Sequence, residues 1–228
     1  MRDTIEVNER WNLIGSLSDP VPVTSLIPID PVTLQSHFIG YTNATGYRVE
    51  DTLKPGRAYW IKTNQWGKLV LQSGNGTAGL ENSSAQTTQR NSALPTSYSL
   101  DGDRTINRLV FKDHDGKEQA LYFTARNDVD ASGYELPPAA PTGRMDVRFA
   151  TQRILEVAEA NTQKDVPILV TAAKYPVMIQ WSSENVGNAG ALTVDGKKIT
   201  LSEKGQIHIA HSTSHRSEER RVGKECRL

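Results

Sequence analysis

Turn signals cut this chain into short apolar runs, and that rhythm constrains its fold more than any other feature. Lys54-Pro55-Gly56, Gly67, Asp115-Gly116, Asp195-Gly196 and Lys204-Gly205 each border a run rich in Val, Ile, Leu, Phe, Tyr or Trp. Runs so short, at roughly 8–12-residue spacing, suit strands joined by tight turns and are too brief for helices. Residues 150–160 are the only stretch with a competing helical pattern. Flanking prolines and β-branched residues favour a strand there as well. The expectation is an all-β chain of antiparallel strands.

The runs fall into two groups. In residues 1–73, "RWNLIGSL" reads as a strand, followed by Phe38–Tyr41, Gly46–Val49, Ala58–Lys62 and Leu69–Leu71. Prolines at 20, 22, 28 and 31 remove ladder donors, so the segment before Phe38 is predicted to be an extended edge or loop. Residues 74–104 are dominated by Ser, Thr, Asn, Gln and Gly, which bury too little apolar surface to offset their ordering entropy. They read as a polar linker. In residues 105–211, Leu109–Lys112 and Gln119–Phe123 form a predicted hairpin, and "GYELPPAAPTGRMDVRF" a proline-rich extended crossover. "RILEVAE", "VPILVTAA" and "YPVMIQWS" follow as strands, with three shorter ones closing the segment. The predicted fold is two small antiparallel β-sandwich-like modules joined by the linker.

Composition narrows the function class. Lys plus Arg and Asp plus Glu are balanced at 26 each, so no strong field attracts nucleic acid or anionic lipid. No window approaches the ~18 apolar residues of a transmembrane helix. Mean hydropathy of −0.50 fits thin β-modules with much surface. "MRDTIEVNERWNLIG" places charges where the apolar core of a signal peptide belongs, which predicts that an exported parent protein begins upstream of Met1.

Residues 212–228 are predicted to be a tail without structure. "RSEERRVGKECRL" carries five basic and three acidic residues, a net +2, and contains the single cysteine, Cys226. One cysteine has no metal-spaced partner, which argues against a zinc site. Back-translated, Arg216–Arg227 resembles the adapter ligated to short-read sequencing libraries. The natural part of this sequence is therefore expected to end near His215, with the natural chain continuing beyond it.

Few residues carry a chemical signal. Asp128, Asp130, Ser132 and Gly133 match the first positions of a calcium loop, but Ala139 stands where the bidentate Glu belongs. A loop-bound calcium at Asp128 and Asp130 is the one cofactor considered, against an ordinary acidic turn. The five histidines form no catalytic or zinc motif, and there is no nucleophile elbow or phosphate loop. The residues point away from an enzyme. Among the aromatics, Tyr59 and Trp60 must face opposite sides of one strand. Trp11 and Trp60 are expected in the small module's core, and Trp66, in a turn, is expected to be exposed and is the candidate ligand-binding residue of the carbohydrate-binding alternative.

The segments "RWNLIGSL", "FIGYTNATGYRVEDTLKPGRAYWIKTNQWGKLVL" and "LVFKDHDGKEQALYFTARNDVDASGYELPPAAPTGRMDVRF" resemble the C-terminal β-module region of large secreted bacterial proteins. That region precedes a type IX secretion sorting domain. The resemblance covers most of residues 9–210, with Asp51–Gly56, Tyr59-Trp60, Tyr134–Pro138 and Arg144–Phe149 its most specific parts. It implies a non-catalytic scaffold of an exported or cell-surface protein, with upstream domains of the parent chain and the secretion machinery as partners. The alternative is a carbohydrate-binding accessory module of an extracellular hydrolase, with glycans as ligands.

Overall fold

The computed structural model describes residues 1–73, 100–158, 164–182, 190–201, 203–210 and the backbone of 226–227. It is all-β, with 51% of residues in strands, and no helix reaches seven residues among those described. Residues 100–104, expected in the linker, belong to the second of two compact units. Leu100 is buried there, and the adjacent Asp101 accepts the Tyr122 hydroxyl at 2.6 Å.

The first unit holds residues 1–40 and 49–73. Its strands are β1 (Arg2–Val7), β2 (Arg10–Gly15), β3 (Val21–Pro22), β4 (Ile27–Pro28), β5 (Phe38–Thr42), β6 (Gly46–Glu50), β7 (Thr52–Leu53), β8 (Ala58–Thr63) and β9 (Gly67–Gln72). They form sheets in the orders β1-β9-β4 and β2-β8-β5-β6, plus the β3-β7 pair. The proline-rich stretch yields only the two-residue strands β3 and β4, as missing N–H donors require. Strand β1 was not legible: in "RDTIEV" only Ile5 and Val7 are apolar, and it pairs along β9 as a sheet edge.

Alternation along β8 sends Tyr59, Ile61 and Thr63 into the core with Phe38, Leu53, Leu69 and Leu71. The Tyr59 hydroxyl also accepts the Lys54 N–H at 2.7 Å, tying the Pro55-Gly56 turn to the core. Trp11 and Trp60 are not core residues, contrary to expectation. Tyr59 takes the inward position, so Trp60 lies on the outer face opposite Leu13, half-buried edge-on against Trp11 at 6.5 Å.

The second unit holds the tip Tyr41–Arg48 of the β5–β6 hairpin together with the described residues from 100 onward. Its strands are β10 (Asn107–Lys112), β11 (Glu118–Thr124), β12 (Asp146–Phe149), β13 (Leu155–Val157), β14 (Pro167–Thr171), β15 (Val177–Ser182), β16 (Ala191–Val194), β17 (Lys197–Thr200), β18 (Lys204–Ile209) and β19 (Cys226–Arg227). Two five-stranded sheets run in the orders β13-β11-β10-β15-β18 and β12-β14-β19-β16-β17. Leu109, Phe111, Leu121, Val147, Phe149, Leu155, Ile168, Ile179 and Leu192 are buried, each worth about 1.5–3 kcal/mol in transfer free energy.

Three details depart from the sequence reading. Strand β13 pairs parallel to β11, because the long 125–154 crossover returns the chain in the same direction. Lys204-Gly205 is not a turn but the start of β18. Gly205 lies opposite Trp181, and a Cβ there would sit 2.2 Å from the indole, so glycine is the residue this ladder position needs. Cys226–Arg227, expected in a structureless tail, pair with β14 and β16, whose facing edges offer ladder groups to any extended backbone. Residues 211–225 lie outside the described residues. The Asp195-Gly196 turn is as expected, with both residues at positive φ between β16 and β17.

Candidate functional site

In "GRMDVRF" the outward positions of a short strand carry charge, while Met145, Val147 and Phe149 are apolar. Asp146 and Arg148 stand two apart on β12, hence on one face, yet they are only 2% and 5% exposed. Their carboxylate and guanidinium meet in a bidentate fork, Nε to Oδ1 at 2.8 Å and Nη2 to Oδ2 at 2.6 Å. Asp146 Oδ2 also accepts the Ala140 N–H at 2.7 Å. Arg148 Nη1 donates to the Pro137 carbonyl and to Gln152 Oε1, both at 3.0 Å. Prolines suit this role, because each supplies an acceptor and brings no N–H needing a partner of its own.

Tyr47 closes the cluster. Its hydroxyl donates to the Pro138 carbonyl at 2.8 Å, its ring lies 5.8 Å from the Arg148 guanidinium carbon, and Tyr41 packs edge-on at 4.9 Å. Burial, and then the Asp146 charge, push the Tyr47 pKa up to about 12. The hydroxyl is thus kept as a neutral donor. Beside it, the buried Gln119 amide reaches from β11 to β12, donating to the Val147 carbonyl at 2.5 Å and accepting its N–H at 3.1 Å. Gln119 thereby imitates a neighbouring strand along the open edge of β12. Gly46, at φ +60°, lets the hairpin tip pass close: a Cβ there would lie 2.4 Å from Gln119 Oε1.

Other buried charges follow the same logic. Asp113 accepts the Lys117 N–H at 2.9 Å and the Lys174 N–H at 3.3 Å, anchoring the β10–β11 turn. Glu156 is 2% exposed and takes Lys164 Nζ at 2.7 Å together with the Thr151 hydroxyl. Each ionic group is spent on holding a turn or a crossover.

The residues singled out from the sequence sit elsewhere. Asp128 is bound by Arg126, Nε at 2.9 Å and Nη2 at 2.5 Å, and this hydrogen bonding holds its carboxyl below the usual range. Arg126 also reaches Asp103 at 2.8 Å. Asp130 caps the short 3-10 turn Ala131–Tyr134, accepting the Ser132 N–H and hydroxyl, both at 2.8 Å. The charge on Asp128 is therefore met by a guanidinium. No three His, Cys, Asp or Glu side chains gather for a metal ion among the described residues. Of the histidines, His37 is buried and His114 and His208 are exposed, while His211 and His215 lie outside the described residues.

Trp66 is 78% exposed, on a turn pinned by Asn64, which accepts the Thr33 N–H at 2.7 Å, and by Gln65, which donates to the Pro31 carbonyl at 2.7 Å. Among the described residues, ring contacts pair Trp11 with Trp60 and Tyr41 with Tyr47, and do not include Trp66. The buried Asp146–Arg148 pair was the feature sequence reasoning missed. Its signal was a D-x-R alternation inside an apolar run, just after two prolines. Comparison with family models, with curated proteins and with solved structures returned no match.

Breaking a buried pair leaves one charge unmatched, at about 3–5 kcal/mol. Arg148→Met is expected to lower urea-unfolding stability by that amount, and the double change Asp146→Leu/Arg148→Met to recover most of it. A single-variant loss below about 1 kcal/mol contradicts the assignment of this pair as the second unit's anchor.

Proposed function

We propose that residues 1–215 act as a non-catalytic structural module of an exported or cell-surface bacterial protein, carried between upstream domains of the parent chain and a C-terminal secretion signal. One observation supports this most. Two of the segments that carry the resemblance, Tyr134–Pro138 and Arg144–Phe149, pack into the unit, with Tyr134, Asp146 and Arg148 turned inward. Asp146 and Arg148 serve each other and the Ala140 and Pro137 backbone, and Tyr134 is buried at 1%. Residues that define the module are used for shape. A protein displayed outside the cell gains from such saturation, since buried groups with satisfied partners keep a thin sandwich closed.

The test is a fusion. A reporter enzyme placed ahead of residues 1–215, with a type IX sorting domain behind, is expected to reach the surface of a bacterium possessing that machinery with the reporter's kcat/KM unchanged. Retention inside the cell, or degradation of the module during export, contradicts the reading.

A second reading, a carbohydrate-binding accessory module, is favoured by Trp66 alone, a large ring held out on a pinned turn. It predicts retention on insoluble neutral glycans that Trp66→Ala abolishes. Equal pull-down of both proteins across a glycan panel removes it.

A further inference from the structure

The outer face of the antiparallel β10-β15-β18 ladder in the second unit carries an unusual row of side chains. Alternation sends Leu109, Ile179 and Trp181 inward and leaves Arg108, Val110, Gln180, Ser182, Lys204 and Gln206 outward. The register sets Arg108 opposite Ser182 and Ser182 opposite Lys204. The next row is Val110, Gln180 and Gln206. Directly opposed residues stand about 5 Å apart at Cβ, so the two basic residues occupy the positions on either side of Ser182. The six side chains, above the Trp181 and Gly205 backbone, line a groove of about 500 Å³. That lies within the roughly 300–1,000 Å³ of ordinary ligand sites.

The charges in this groove are not balanced from within. Asp101 is the carboxylate beside Arg108, and it already accepts the Tyr122 hydroxyl and Arg48 Nη2, both at 2.6 Å, while the exposed Glu203 precedes Lys204 in the chain. Arg108 Nε lies 3.3 Å from Asp101 Oδ1 in an ion pair but makes no aligned hydrogen bond. Lys204 is exposed, and neither it nor Ser182 Oγ has an ion pair or side-chain hydrogen bond among the described residues. The residues lining the groove thus include two cations, Arg108 and Lys204, and no carboxylate, around the Ser182 hydroxyl. Gln180 donates to Gln206 Oε1 at 3.3 Å, which leaves one amide oxygen and one amide NH₂ turned to solvent.

We propose that this groove binds an acidic polysaccharide, with Arg108, Ser182 and Lys204 cradling the oxyanion and Gln180 and Gln206 reading neighbouring hydroxyls. A sheet face presents side chains, whereas an extended peptide needs backbone partners of the kind a strand edge supplies. A sugar brings hydroxyls, which amide side chains can satisfy in both directions. The oxyanion is either a uronate carboxylate or a sulfate ester, and the chemistry of the cradle suits both. This site is separate from Trp66 and does not depend on the scaffold reading.

Affinity electrophoresis and calorimetry of the intact chain at low salt test it, using polygalacturonate, dextran sulfate, unmodified dextran and poly-L-glutamate as probes. Polygalacturonate or dextran sulfate is expected to bind, the stronger of the two identifying the acid group, while dextran does not. Lys204→Glu and Ser182→Glu are each expected to weaken that binding about tenfold or more. Lys198→Glu, an exposed change on β17, leaves it unaltered. Unchanged urea midpoints show that the exposed variants fold. The proposal is overturned if neither acidic polysaccharide binds, or if Lys204→Glu and Lys198→Glu bind alike, as attraction to the basic residues of 216–227 predicts. It is also overturned if poly-L-glutamate binds as tightly as the polysaccharides.

Discussion

A buried ion pair costs several kcal/mol per charge to desolvate and is retained only where geometry and further hydrogen bonds offset that cost. Asp146 and Arg148 meet the condition through the bidentate fork, the Ala140 N–H and the carbonyl of Pro137. Much of the second unit is arranged to make this possible. The Pro137-Pro138 crossover delivers acceptors, Gln119 completes the open edge of β12, and the Tyr41–Arg48 tip lays Tyr47 against the guanidinium. Removing any of these leaves a charge or a strand edge with an incomplete set of partners.

The period-2 pattern and the turn residues were enough to place most strands to within a residue or two. Phe38–Thr42, Gly46–Glu50 and Ala58–Thr63 begin where the sequence reading placed them, because Pro, Gly and Asn-rich turns delimit them locally. What escaped was set by partners distant in sequence. Trp60 looked like a core anchor until the register with β2 gave the inward position to Tyr59. Lys204-Gly205 looked like a turn because Gly is the common turn residue, but the glycine answers to Trp181 on a neighbouring strand. Strand β1 is charged and half-exposed, so its pairing with β9 leaves little trace in its own composition. Of the candidate site, the exposure of Trp66 was legible from its turn. The buried pair was not, since a D-x-R alternation reads as solvent-facing until the crossover that covers it is known.

The division of labour between inside and outside follows from the same economy. Polar residues with many potential partners, such as Arg148, Gln119, Asp113 and Glu156, are drawn into turns and crossovers and lose their freedom to engage ligands. Under the two binding proposals, recognition falls to surface side chains: Trp66 on its pinned turn, and the row Arg108, Ser182 and Lys204 on an open sheet face. A scaffold built this way tolerates change on its faces far better than along its crossovers.

The account's central claim is that side chains, rather than ladder pairing alone, close the second unit around Asp146 and Arg148. Native-state amide hydrogen exchange followed by NMR addresses it at single residues. The Ala140 N–H is bonded only to Asp146 Oδ2 and the Val147 N–H to Gln119 Oε1. If the network is as tight as its geometry, both exchange as slowly as the β10–β11 ladder amides, opening only with the unit as a whole. Rapid exchange at Ala140 and Val147 while that ladder stays protected contradicts the claim, and reduces the ion pair to a local contact on a sandwich held together by its apolar core.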